Sequence, residues 1–350
     1  MTRSALRVLV TAVGGDLGQA LVKALRLYPE PIEIHGCDVD AAGLGGAFVD
    51  QCHVIPHAGD TTVYLEALDD LCQSYKIQVV LPASEPEIYA LSRLGSSPHL
   101  SCGAIVVCQG EKWIDTYGDK LNCMRALAGN VELAPFADGR DPEAVDRLVA
   151  DLGFPIVVKA RRSSGSRTLR VANNRQELST YLEEIELPFA QQYLGIDENE
   201  FSVAVFACKS FEATICFKRQ LGPGGCSWFA ENLDDQEILE YARQIAHVTH
   251  LVGSANVQVR KTQTGVRLLE INPRFSSLAA ARAFCGFRDV EWSVKMALGL
   301  EIGPPPQYYR HIRFQRFLHE MVDSGDGFQA VAEWSPKHLP MVGLDREFNK

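Results

Sequence analysis

Through its first hundred residues the chain alternates short apolar runs with longer helical ones, and this alternation restricts the fold more than any other feature. Residues 6–12 read as a strand, Gly14-Gly15-Asp16-Leu17-Gly18 as a turn into a helix that runs through Leu27, and residues 32–37 as a second strand ending at Asp38. A polar helical stretch over 61–75 leads to the apolar run 77–81, and 104–107 reads as a further strand. Strands joined by helical crossovers predict a parallel sheet with right-handed connections.

Beyond residue 110 the pattern changes. Residues 111–127 read as one helix carrying Asp119-Lys120, and a loop rich in proline and aspartate precedes a capped helix over 141–152. A strand over 154–160 runs into the basic, serine-rich loop 161–167, then a strand through Val171, a helix over 174–185 and strands over 189–193, 201–207 and 211–219. Residues 222–226 form a glycine-rich turn and 234–250 a helix. Residues 255–261 and 266–271 pair as a hairpin around Thr262-Gln263-Thr264-Gly265. Helices over 275–285 and 289–298 follow, Pro304-Pro305-Pro306 marks a boundary, and 311–322 adds one more strand or helix.

Composition narrows the function. The 350 residues are 46% hydrophobic with a formal charge of −10. So acidic a chain lacks the clustered basic surface that nucleic-acid binding requires. No run of about 18 apolar residues and no leader signature occurs, so a membrane protein is not expected. The ten cysteines contain no CxxC pair, which removes support for zinc ribbons and fits reduced thiols in a cytoplasm.

The strongest chemical signal is Gln258 with Leu268-Leu269-Glu270-Ile271-Asn272-Pro273-Arg274. Glu270 and Asn272 stand two apart on one strand and share a face, and Gln258 lies on the preceding strand. Three oxygen donors beside an arginine suit Mg²⁺ bridging a triphosphate. Lys159 ends a buried strand and precedes a small loop, Arg161-Arg162-Ser163-Ser164-Gly165-Ser166-Arg167, able to close over phosphates. Gln191-Gln192-Tyr193-Leu194 ends a strand whose backbone can pair with an adenine edge. Glu200, six residues after Leu194, can accept from ribose hydroxyls, and an ordinary strand, acidic turn and strand fits the same residues equally well.

These features together resemble the ATP-grasp superfamily, and within it the carbamoyl-phosphate-synthase-like carboxylate–amine ligases. The resemblance covers roughly residues 5–300. It is carried by DK at 119–120, FPIVVKARRSSGSR at 154–167, QQYLGIDENEFSV at 191–203, KRQLGPGGCS at 218–227 and NVQVRKTQTGVRLLEINPRFSS at 256–277. It implies that Lys120 and Lys159 contact ATP phosphates, with Ser166 and its loop as a lid. Gln191, Gln192 and Leu194 form the adenine hinge, and Glu200 binds ribose. Gln258, Glu270 and Asn272 hold Mg²⁺ (or Mn²⁺), Arg274 binds the transferred phosphoryl group, and Arg219 stabilises the acyl phosphate. The implied reaction is carboxylate + amine + ATP giving amide + ADP + phosphate. The implied partners are small-molecule carboxylate and amine substrates, with a homodimer as the common assembly among relatives.

A rival reading takes the glycine-rich turn and Asp38 as a dinucleotide fingerprint, making the protein an NAD(P)-dependent reductase or epimerase. The spacing is G-G-x-x-G rather than G-x-G-x-x-G, no Tyr-x-x-x-Lys pair follows, and two-thirds of the chain would go unexplained. A biotin-carboxylase-like activation of bicarbonate ranks second within the ligase class. The expected fold is mixed α/β and α+β, an ATP-grasp fold preceded by a Rossmann-like parallel domain. Its expected parts are 1–110, a linker helix and nucleotide lid at 111–195, and a metal-bearing part with tail at 196–350. At the carboxyl edge of the first sheet, either Ser84, Glu85 or Glu87 faces substrate or the segment is a plain acidic turn, the two readings standing level.

Overall fold

Leu6–Val10 (β1), Ile32–Asp38 (β2), Gln51–Val54 (β3), Val79–Leu81 (β4) and Ile105–Val106 (β5) form a parallel sheet in the order β3-β2-β1-β4-β5. This is the expected crossover sheet, with β3 added at one edge. The computed structural model describes residues 5–40, 44–95, 98–162, 168–195, 199–222, 225–303, 307–316, 321–323 and 328–330. Both faces of the sheet are covered, which explains why Val8, Leu9 and Val10 are all apolar and fully buried. Asp16–Leu25 (α1) lies on one face, and Thr61–Tyr75 (α2) and Glu85–Ser92 (α3) pack on the other. The α3 helix was not expected. It is started by a capping box in which Ser84 and Glu87 satisfy each other's backbone N–H groups.

The single helix expected over 111–127 is two, Glu111–Tyr117 (α4) and Lys120–Leu127 (α5). Asp119 breaks it. Its backbone is extended, and its carboxylate accepts from the N–H groups of Leu121 and Asn122, as an N-cap does. Gly118 permits the break, because a Cβ there would lie 2.7 Å from the Ile114 carbonyl and 3.1 Å from the Tyr89 hydroxyl.

Phe136–Asp138 (β6), Ile156–Ala160 (β7), Arg170–Ala172 (β8) and Pro188–Gln192 (β9) form an antiparallel sheet in the order β6-β9-β7-β8. Pro142–Leu152 (α6) and Arg175–Glu184 (α7) cover it, their Val145, Leu148 and Leu178 meeting Ile156, Val158 and Ala190. Asp141 caps α6 through the Ala144 N–H, and proline follows at the first helical position.

The largest sheet is antiparallel: Glu200–Ala207 (β10), Glu212–Leu221 (β11), Ser227–Leu233 (β12), Gly253–Thr262 (β13), Gly265–Asn272 (β14) and Arg313–Gln315 (β15), ordered β14-β13-β10-β11-β12-β15. Sequence reading missed β12, where Phe229 pairs with Gln220 of β11 and Gln315 of β15, 95 residues apart in the chain. Gln236–Val248 (α8) packs on one face together with α5. On the other lie Ala279–Phe284 (α9) and Asp289–Ala297 (α10), with Leu278, Ala281 and Trp292 against Phe206, Ile215 and Phe217. The α9 and α10 helices turn their remaining apolar residues, Ala279, Ala283, Val290 and Val294, into the α1 side of the parallel sheet. They therefore serve two cores. The helix expected from 275 begins only at Ala279, because residues 273–278 form the loop after β14. Residues 317–350 form a separate unit, in which Met321–Asp323 (β16) pairs antiparallel with Phe328–Ala330 (β17). Among the described residues no helix is long and apolar enough to cross a membrane.

Candidate functional site

Gln258 on β13 stands directly across the ladder from Glu270 on β14, and Asn256 across from Asn272. The two-residue period puts Glu270 and Asn272 on one face, where the Asn272 amide donates to Glu270 Oε1 at 3.2 Å. Two lysines from other parts of the chain converge on this carboxylate. Lys120, the first residue of α5, places Nζ 3.0 Å from Glu270 Oε2. Lys159 on β7 is buried and donates to the Leu269 carbonyl at 3.0 Å and to Gln191 Oε1 at 3.1 Å. Residues 120, 159, 191 and 270 thus meet where α5 and the β7–β9 sheet come against the end of the largest sheet.

The charges are strongly coupled. Burial alone would raise the Glu270 carboxyl, yet Lys120 and Lys159 beside it hold it down at about 2, so it is an anion at neutral pH. Lys159 is pushed down to about 8, first by burial and then by repulsion from Lys120, with Glu270 opposing. Lys120 and Lys159 thus both bear on the charge of Glu270.

A second cluster adjoins it. Arg219 donates through Nε to Glu200 Oε1 at 3.1 Å and through Nη2 to Gln258 Oε1 at 2.8 Å. Arg260 donates to Glu200 Oε2 at 2.9 Å and reaches the Gly195 carbonyl. Glu200, Arg219 and Arg260 are all buried. On the far side, Arg274 Nη2 donates to Glu85 Oε1 at 3.2 Å. Glu85, Tyr89, Lys120, Glu270 and Asn272 line one small cavity there. Of the three residues expected at the sheet's edge, Glu85 faces this cavity. Glu87 turns inward, accepting from Thr11 Oγ1 at 2.6 Å and Ser84 Oγ at 2.7 Å, and burial raises its carboxyl despite those bonds.

Gln192 and Leu194 are half-buried beyond Gln191, and the Gln192 N–H is taken by the Pro135 carbonyl. Ser166 lies outside the described residues. Sequence reasoning missed the acids and arginines around Lys120: Asp119 accepts from Arg161 Nε at 3.0 and 3.1 Å. Only the DK dipeptide and the doubled arginine after Lys159 hinted at them. In the glycine-rich turn, the Gly14 N–H donates to Asp38 Oδ2 at 2.8 Å, and Asp16 occupies the first turn of α1. The fingerprint acid is thus spent on the turn itself, and the helix end carries a carboxylate where a dinucleotide phosphate would sit.

A family model described as ATP-grasp in the biosynthetic pathway with Ter operon matches residues 188–318. The large chain of carbamoyl phosphate synthase from Pyrococcus furiosus is 26% identical over 184 residues, 47% of this chain and 17% of that protein. The chain therefore spans less than a fifth of that relative's length. Among solved structures, the biotin carboxylase domain dimer of Hydrogenobacter thermophilus 2-oxoglutarate carboxylase, with MgADP, ADP and bicarbonate, superposes with a TM-score of 0.69 at 14% identity, covering 87% of this chain and 72% of that one. The N5-carboxyaminoimidazole synthetase of Staphylococcus aureus, complexed with ADP, gives 0.66 at 17% identity, covering 87% and 80%.

Proposed function

We propose that the chain belongs to the ATP-grasp superfamily and that it activates a carboxylate as an acyl phosphate and passes it to an amine, releasing ADP and phosphate. One observation carries the reading: Lys120, Lys159 and Glu270, drawn from three distant segments, converge beside Arg274 and Arg219. Lysines and arginines gathered in this way suit a polyphosphate.

In this reading Lys120 and Lys159 bind the ATP phosphates, and Gln191, Gln192 and Leu194 border the adenine. Glu200, whose carboxylate accepts from Arg219 and Arg260, is assigned the ribose hydroxyls. Ser166 keeps its proposed place in the lid. The donor set of Gln258, Glu270 and Asn272 fits Mg²⁺ (or Mn²⁺): all are hard oxygens, and the one ionised carboxylate leaves the rest of the charge to be matched by phosphate. The metal would neutralise charge on the transferring phosphoryl group. The substrate carboxylate attacks the γ-phosphorus and ADP leaves. Arg274 meets the transferred group, which requires it to leave Glu85, and Arg219 offsets the acyl phosphate's charge. The amine then attacks the acyl carbon, phosphate departs and the amine gives up a proton. In this reading the lid over the site excludes the water that would hydrolyse the intermediate. Cytoplasmic operation and a homodimer belong to the same proposal.

The test is ADP and phosphate release from Mg-ATP against a library of carboxylic acids, each with and without amino-acid amines. Bicarbonate belongs in that library because the Hydrogenobacter neighbour's structure contains it. Release that depends on one acid–amine pair supports the ligase. Tight NADH or NADPH binding without any ATP binding would overturn it.

A further inference from the structure

We propose that Arg161 is a positioning residue for nucleotide binding, acting through Asp119 on Lys120; this rests on the nucleotide reading above. The problem it addresses is physical. Lys120 Nζ sits against the Glu270 carboxylate and Lys159 Nζ against the adjoining Leu269 carbonyl, so before any phosphate arrives two like charges repel across a short gap. They also ride on different elements, a helix start and a strand end, so something must join those two pieces of backbone.

Arg161 follows Lys159 by two residues and makes that joint. Its N–H donates to the Leu187 carbonyl at 3.0 Å, continuing the strand, while its own carbonyl accepts from the Lys120 N–H at 3.0 Å. Its Nε lies between both oxygens of Asp119, and Nη2 donates to Asn122 Oδ1 at 3.1 Å. The same Asp119 carboxylate caps α5 by accepting from Leu121 and Asn122 at 3.1 and 3.2 Å. Asp119 is 2% exposed, so its charge depends on these donors. Arg162 reinforces the joint from outside: Nε sits 3.4 Å from Asp119, Nη2 donates to Asp115 at 3.1 Å, and its guanidinium lies 5.1 Å from the Tyr89 ring centre. The Arg161 guanidinium is thus occupied by the start of α5, and its influence on a nucleotide passes through the direction in which that helix presents Lys120. Without the fork, the first turn of α5 is free to tilt away from Glu270.

The test measures Mg-ADP affinity by calorimetry for the parent chain, R161Q, K120A and the double variant. R161Q is expected to weaken binding about tenfold, the scale of one charge-assisted hydrogen bond. The double variant should bind no more weakly than K120A alone, because both changes remove the same ammonium contact. A purely structural role would instead make the two losses additive, and additive losses overturn the proposal, as does parent-like affinity in R161Q. Should R161Q lose its cooperative unfolding transition, R161K replaces it; a lysine keeps the charge beside Asp119 without the fork to Asn122. Its loss should be smaller than tenfold and again non-additive with K120A, and additivity there overturns the proposal equally. Failure of the parent chain to bind Mg-ADP would remove the nucleotide reading itself, a result distinct from any pattern among the variants.

Discussion

At the scale of single residues, Glu270 and Lys159 are where chemistry and stability are coupled most tightly. Glu270→Gln is expected to lower turnover by about two to three orders of magnitude, since it removes the anion of the donor set. Glu270→Gln and Glu270→Ala should each lose about 3 kcal/mol of stability, because both remove the charge that Lys120 is paired with; urea unfolding of each variant against the parent chain checks the loss. Lys159 predicts a pH dependence. Its folded value of about 8 lies below its unfolded 10.5, so its charged form costs stability below pH 8, and that cost disappears as pH rises from 8 to 10.5. Phosphates favour the charged form, so nucleotide binding should weaken above pH 8 and take up a proton there. Calorimetry at pH 9 in buffers of different ionisation enthalpy should report that proton, and Lys159→Met should abolish it. The pairing of Gln258 with Glu270 was legible in advance because both belong to one hairpin. The ion pair of Lys120 with Glu270 was not, since 150 residues separate them.

At the scale of elements, tight backbone approaches matter more than propensity. The turn before α1 needs Gly18: a Cβ there would lie 2.4 Å from the Ala12 carbonyl and 2.8 Å from the Val13 Cα, both backbone atoms that cannot swing aside. Gly18→Ala is therefore expected to cost about 1–3 kcal/mol, read as a lowered thermal midpoint, with Mg-ADP affinity of the folded fraction unchanged. The break between α4 and α5 shows the opposite limit of sequence reading. Residues 111–127 have helical character throughout, and only the N-cap preference of Asp119 could have signalled a restart. That preference gains force from Arg161, which holds the carboxylate in place from another layer.

At the scale of the molecule, α9 and α10 bind the parallel sheet to the largest sheet, because their apolar residues are divided between two cores. A fragment of residues 111–316 should therefore expose Phe275, Ala279, Ala283, Val290 and Val294 and fail to give the cooperative unfolding of the full chain. A fragment that unfolds cooperatively, with the full chain's midpoint, would contradict this. The same packing brings Glu85 to Arg274, giving the first domain a wall of the candidate site.

What the sequence determined by itself was local: the crossover strands of the first hundred residues, the caps at Asp141 and Asn174, and the hairpin that aligns Gln258, Glu270 and Asn272. Strand periodicity and capping act over a few residues, so they can be read without knowing what lies opposite. Only the tertiary structure decided that Glu87 turns inward while Glu85 faces Arg274, that β12 is a strand, and that Lys120 pairs with Glu270. Those outcomes depend on which surfaces exclude water together, and that is a property of packed layers.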